Sequence, residues 1–79
     1  MPVEVRVFCG LESYIPGARF GKPITVEITA GYSGRMLLDG LNIPEEKAFS
    51  FLVNGVRKDF DALIADGDRI SIFPAVGGG

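Results

Sequence analysis

Histidine is absent from this chain of 79 residues, and Cys9 is its single cysteine. Without histidine, the commonest general base at neutral pH and the commonest metal ligand are both missing. A lone thiol cannot close an internal disulfide or hold a thiolate metal cluster by itself. No GxxxxGK[ST] run occurs, so the chain has no recognisable means of binding ATP. Apolar runs stay short of the roughly 20 residues that a membrane-spanning helix needs. Met1-Pro2-Val3 opens a charged, alternating segment and not a signal peptide, which makes the cytoplasm the default expectation. Basic residues form no cluster and the net charge is −2, so nucleic acid is a poor partner. The carboxylates are scattered over turns and surface positions in no paired constellation. Together these absences point away from an enzyme and towards a protein that meets a basic or mixed partner surface.

What is present is enough apolar material for one small core, 47% of the residues. Val3, Val5, Val7 and Cys9 alternate with Glu4, Arg6 and Phe8, a period of two that predicts a strand with its valines inward and Phe8 outward. Gly10 to Lys22 holds glycines and Pro16 and reads as a long loop or broad hairpin connection. Ile24, Val26 and Ile28 alternate with polar residues in a second strand. Ser33 then offers an N-cap to a short helix on which Met36, Leu37, Leu38 and Leu41 recur at helical spacing. Gly34 and Gly40 weaken that helix by about 1 kcal/mol each, and Gly40 with Pro44 marks its end. Ala48 to Val53 returns to strand character, and Asn54-Gly55 turns the chain into the short strand Val56-Arg57. Asp66-Gly67-Asp68 is a further turn, delivering a last strand from Arg69 to Phe73 with Ile70 and Ile72 inward.

The last strand runs through Pro74, Ala75 and Val76 into Gly77-Gly78-Gly79. At an average glycine usage of about 7%, three in succession at one place arise by chance about once in 3,000. A frayed end explains such a tail without chemistry. A thin, extended tail also suits a terminal carboxylate that must enter another protein's active site. From Pro74 to Gly79 an extended chain reaches about 20 Å.

Leu52-Val53-Asn54-Gly55-Val56 followed by Leu63-Ile64-Ala65-Asp66-Gly67-Asp68-Arg69-Ile70-Ser71-Ile72-Phe73-Pro74-Ala75-Val76-Gly77-Gly78-Gly79 resembles the close of the MoaD/ThiS sulfur carriers. Those proteins share a VNG turn, a DGD turn, a Phe-Pro pair and a terminal diglycine. Ala75 departs from the usual second proline, and Gly77 stands where alanine or serine is common; both changes loosen the tail. The spacing from Phe73 to the end is unchanged, which keeps Gly79 as the expected reacting residue. The resemblance implies an α+β chain of β-grasp (ubiquitin-like) fold. Its mixed sheet of four to five strands would be covered by one short helix, with the first and last strands parallel at the centre. It also implies a domain over residues 1–74 and a flexible glycine tail over 75–79.

The function that the resemblance implies is that of a carrier, not a catalyst. The Gly79 carboxylate is adenylated by an ATP-dependent activating enzyme of the MoeB/ThiF type and converted to a thiocarboxylate, which then donates sulfur. Gly77 and Gly78 form the slender approach, and no cofactor or metal is bound by the chain itself. Phe8, Phe73, Pro74 and Val76 are the expected partner-binding patch at the tail root, unless the phenylalanines pack beneath the Gly10–Lys22 loop. The Phe73-Pro74 tail and the long first loop favour the molybdopterin branch, with a MoaE-like subunit of the synthase as sulfur acceptor. Leu37 to Glu45 is closer to the thiamin branch, whose acceptor is ThiG-like. Carriers for tRNA thiolation, cysteine synthesis or tungsten-type cofactors also share the pattern, and so does a protein modifier joined to targets through Gly79. Asp59, Asp61, Asp66 and Asp68 serve either a basic partner or their own turns. Cys9 reads as a small apolar residue, and Arg57, Lys58 and Arg69 as solvated cations.

Overall fold

The computed structural model describes residues 1–8, 10–15 and 22–74. Five strands form one mixed sheet: β1 (Pro2–Val7), β2 (Ile24–Glu27), β3 (Ser50–Val53), β4 (Val56–Arg57) and β5 (Arg69–Phe73), in the spatial order β2-β1-β5-β3-β4. β1 and β5 run parallel at the centre, with Val5 opposite Ile70 and Val7 opposite Ile72. The remaining pairings are antiparallel. One helix, α1 (Gly34–Gly40), covers one face. This is the β-grasp arrangement, and its central parallel pair is the expected one.

The period of two decides which face is buried. Val3, Val5, Val7, Ile70 and Ile72 are all inaccessible or nearly so, and Phe51 and Val53 of β3 join them. Leu37 and Leu38 of α1 close the core from the helix side. Each contributes about 1.5–3 kcal/mol by leaving water, which a seven-residue helix cannot gain from its own propensity. Met36 departs from the expected apolar face: it is 47% exposed, because the narrow helix turns only its Leu37–Leu38 side to the sheet.

Both ends of α1 are closed by hydrogen bonds. At its start, Ser33 Oγ accepts from the Met36 N–H at 3.2 Å, as its N-cap position predicts. The two preceding N–H groups find acceptors across the fold: Gly34 donates to Ala62 O and Arg35 to Phe60 O. At its end, the Ile43 N–H donates to Leu38 O and the Asn42 N–H to Asp39 O. Asn42 is left-handed with φ 61°, so these bonds make a Schellman closure. The helix ends at Gly40, as expected, and the left-handed residue that reverses the chain is Asn42 and not a glycine. Gly34, read as a weak point, is a packing requirement. A Cβ there would lie 2.8 Å from Phe51 Cζ and 3.1 Å from Phe60 O.

Several irregular segments also feed the core. Leu11 is buried within a 3-10 turn over Leu11–Tyr14, inside the stretch expected to be plain loop. Ile43, Ala48 and Ile64 are buried outside any strand. β1 ends at Val7 and β3 begins at Ser50, each shorter than the alternation suggests. Asn54 and Gly55 both have positive φ and join β3 to β4 as a two-residue hairpin. The Asn54 side chain accepts from the Arg69 N–H at 2.9 Å and donates to Asp68 at 3.0 Å. The second oxygen of Asp68 accepts from the Ala65 N–H at 2.8 Å. One carboxylate thus ties the Asn-Gly turn to the Asp-Gly-Asp turn.

Two outcomes follow from this packing. Gly34→Ala lowers stability by about 1–3 kcal/mol in urea unfolding through overpacking against Phe51, whereas helix propensity alone would raise it. A double-mutant cycle of Asn54→Ala with Asp68→Ala gives a coupling of about 0.5–3 kcal/mol, and additive losses would refute the clamp.

Candidate functional site

The chain leaves the sheet where β1 and β5 end side by side. Continuing the register by one step past Val7 and Ile72 brings Phe8 next to Phe73 on the outer, helix-free face. The rings stack with centroids 4.5 Å apart and planes within 5°. Each is half-buried. The backbone there is fixed as well, since the Phe8 N–H donates to Ile72 O and the Phe49 N–H donates to Phe73 O at 2.8 Å. Pro74, half-buried, follows and ends the ladder because it has no N–H to donate. Phe8 and Phe73 are thus brought together on one face, with Pro74 next in the chain. Val76, Gly77, Gly78 and Gly79 lie outside the described residues, as does Cys9.

The aromatic surface extends beyond the expected patch. Phe49 is 59% exposed, and the Arg57 guanidinium carbon sits 5.3 Å from its ring centroid. Arg57, read as a solvated cation, is therefore anchored over an aromatic face. Phe49 went unrecognised because it precedes the strand proper, where alternation gives no direction.

The aspartates resolve unevenly. Asp68 is a turn clamp, with one carboxylate oxygen on Asn54 and the other on the Ala65 N–H. Asp61 pairs with Arg35, which also binds Glu45 through both carboxylate oxygens. The Arg35 guanidinium holds the Glu45 carboxyl below its ordinary range, and the two carboxylates raise Arg35 in turn. All three groups are exposed, so their mutual attraction is screened and contributes little to stability. Asp59 and Asp66 are exposed turn residues. Among the described residues no group of three His, Cys, Asp or Glu side chains has a geometry that holds a metal. No described helix is long and apolar enough to cross a membrane.

Comparison with known proteins bears on what this arrangement serves. The model of the ThiS family matches residues 20–79. Comparison with curated proteins found no match. Among solved structures, the chain is similar to SAMP1, the small archaeal modifier protein 1 of Haloferax volcanii, with a TM-score of 0.73, 21% identity and complete coverage of both chains. It is also similar to a Pyrococcus furiosus protein assigned as molybdopterin converting factor subunit 1, with a TM-score of 0.70 and 21% identity over 96% of this chain and 99% of that one. A third likeness, with a TM-score of 0.63 and 23% identity over all of both chains, is to the Helicobacter pylori complex of molybdopterin-converting factor subunits 1 and 2. At these identities the likenesses establish the fold.

The ion pairs on the helix side predict a pH response with a definite sign. Because the folded Glu45 carboxyl titrates below its ordinary range, its contribution is complete above that range. It is lost as pH falls through the lowered folded value. Arg35→Gln should return Glu45 to the ordinary carboxylate range in an NMR titration, and an unmoved midpoint would show that Arg35 is not the cause.

Proposed function

The chain belongs to the ThiS family, and from that premise we propose that it carries sulfur as a thiocarboxylate on Gly79. The observation that carries this reading is the family match over residues 20–79, which takes in the DGD turn, the Phe73-Pro74 root and the terminal glycines. A free carboxylate is a poor acyl donor, since oxide would have to leave. An activating enzyme of the MoeB/ThiF type supplies the remedy. A Gly79 carboxylate oxygen attacks the α-phosphorus of ATP and pyrophosphate departs. Hydrosulfide then attacks the acyl carbon and AMP departs, leaving the thiocarboxylate; with a persulfide donor the attack leaves an acyl disulfide, whose S–S bond a thiol must cleave, taking up the donor's sulfur as a disulfide. ATP belongs to the partner's chemistry, and the carrier acts in the cytoplasm where that partner works.

The carrier's own residues present the tail. Hydrogen bonds to Ile72 O and Phe73 O fix the root, so the tail projects from a defined point. The Phe8–Phe73 stack and Pro74 give an apolar collar around that point, of the kind that marks interfaces. Side chains near the reacting carbon would hinder entry to a narrow, water-excluding tunnel, which is the physical reason for Gly77 and Gly78. The favoured acceptor is a MoaE-like subunit of molybdopterin synthase. The likenesses to subunit 1 of molybdopterin converting factor, one of them in complex with subunit 2, support that branch. A ThiG-like acceptor in thiamin synthesis is the alternative that the family name supports. The likeness to a small archaeal modifier protein favours a second reading, in which Gly79 becomes amide-linked to other proteins.

Intact mass spectrometry after incubation with the activating enzyme, ATP and a sulfur donor tests the reading. We expect a mass gain equal to replacement of one oxygen by sulfur, abolished by deletion of Gly79 and slowed by Gly78→Ala at unchanged melting temperature. An unchanged mass, with the enzyme active on another carrier, would overturn it. High-molecular-weight conjugates in extracts that require Gly79 would establish the modifier reading.

A further inference from the structure

The net charge of −2 conceals an uneven distribution. Strand register sets Arg6, Ser71, Leu52 and Arg57 in one row across β1, β5, β3 and β4. The residues flanking Arg6, Ser71 and Leu52 on their strands are buried, and Arg57 stands opposite Leu52. All four therefore project from the outer face. The next row, farther from the tail root, pairs Glu4 with Arg69. Asp39, Glu45 and Asp61 lie on α1 or pair with it, in the opposite layer. On the outer face, Glu4 is taken up by Arg6 at 3.3 Å, and Glu27 lies 3.5 Å from the amino terminus. Arg57 and Arg69 make no ion pair among the described residues.

Beside Arg69 the surface is concave. Arg6, Arg69, Ser71, Asn54 and Gly55 line an open hollow of about 220 Å³. Asn54 is committed to Asp68 and the Arg69 N–H. The Arg69 guanidinium and the Ser71 hydroxyl have no protein acceptor among the described residues, so donors converge on a space without one. A carboxylate is the acceptor that the Arg69 fork, with the Ser71 hydroxyl beside it, fits in bidentate geometry, while Arg6 on the same lining is already held by Glu4. The hollow lies next to the Phe8–Phe73 stack on the same face.

We propose that this hollow receives an aspartate or glutamate side chain from the protein that takes the tail. On that partner, an acidic surface lies beside the apolar surface that meets Phe8 and Phe73. The proposal rests on the carrier reading and adds to it the chemistry of the partner's face. It narrows the expectation of a basic or mixed partner to an acidic surface at this face, because the acidic residues behind the basic alternative lie on the helix layer or in turns. A protein suits this face better than nucleic acid, since three cations on a chain of net negative charge neutralise too few phosphates.

The test compares Arg57→Glu and Arg69→Glu with Lys47→Glu, an equal change of charge outside this row. The partners are the adenylating enzyme and the sulfur-accepting subunit of the same organism. With at least one of them, both arginine variants should raise KM for the carrier about tenfold or more. There kcat stays within about twofold, Lys47→Glu matches the parent, and melting temperatures are unchanged. Arg57→Gln and Arg69→Gln should give smaller rises, and added salt should weaken the parent more than the glutamate variants. KM values within about twofold of the parent with both partners would overturn the proposal. So would binding of a labelled oligonucleotide that requires Arg57 and Arg69 while both KM values stay unchanged. A parent chain that an active enzyme cannot load would overturn the carrier reading first, and this one with it.

Discussion

The parallel pairing of β1 with β5 is the constraint from which the rest of the molecule follows. It joins the beginning of the described chain to its last strand, so nearly the whole sequence must be closed into a loop before the pair can form. That entropic cost is offset by the valines and isoleucines that the pairing buries. Val5, Val7, Ile70 and Ile72 are each 1% exposed or less. The register is also difficult to slip, since a shift of one residue would turn Glu4, Arg6, Arg69 and Ser71 into the core. Once that register is fixed, Phe8 must meet Phe73, and the tail must leave from the same corner.

The second constraint is the junction between α1 and the segment that precedes β5. A seven-residue helix with exposed N–H groups has little stability of its own. Here Phe60 O and Ala62 O accept from its first N–H groups, and Ile64 returns a bond to Tyr32 O at 2.8 Å. The approach is close enough that a side chain at residue 34 has no room. Gly34 therefore has opposite meanings at two levels. Judged by propensity it weakens the helix; judged by packing it permits the contact that holds the helix in place.

That difference shows what was legible in the sequence. Strand identity was legible, because alternation of valine and isoleucine with polar residues is a local signal. The hairpin at Asn54-Gly55 and the N-cap at Ser33 were legible for the same reason. Leu11, Ile43, Ala48 and Ile64 were not, since a residue buried from an irregular segment follows no period. The bond from Asn54 to Asp68 joins two turns that are each recognisable alone, but nothing in either reveals the other. Asp68 looked equally suited to a partner and to its own turn, and only the fold decides. Of the site, Phe8, Phe73 and Pro74 followed from strand parity. Phe49 and the Arg6–Arg57 row required the register across four strands.

The outer face gains its character from that register. Composition alone gives an acidic protein and suggests a basic or mixed partner. The sheet distributes the charges by parity instead: residues alternating with buried valines and isoleucines include Arg6 and Arg69, with Glu4 held by Arg6, while Arg35 is paired with Glu45 and Asp61 on the helix side, leaving a net negative charge there. Long-range attraction depends on charges that remain unpaired at a surface, and net charge does not report these. Arg57 and Arg69 have no ion-pair partner among the described residues, on the face from which the tail departs. An aromatic collar attracts apolar surface without strong directional preference, and so it discriminates weakly among partners. Cations at fixed strand positions beside it add direction, because a carboxylate satisfies them only in one orientation. On the proposed reading, in which activating and accepting partners meet the chain through one tail, that kind of orientation brings the reacting carbon to the same place each time.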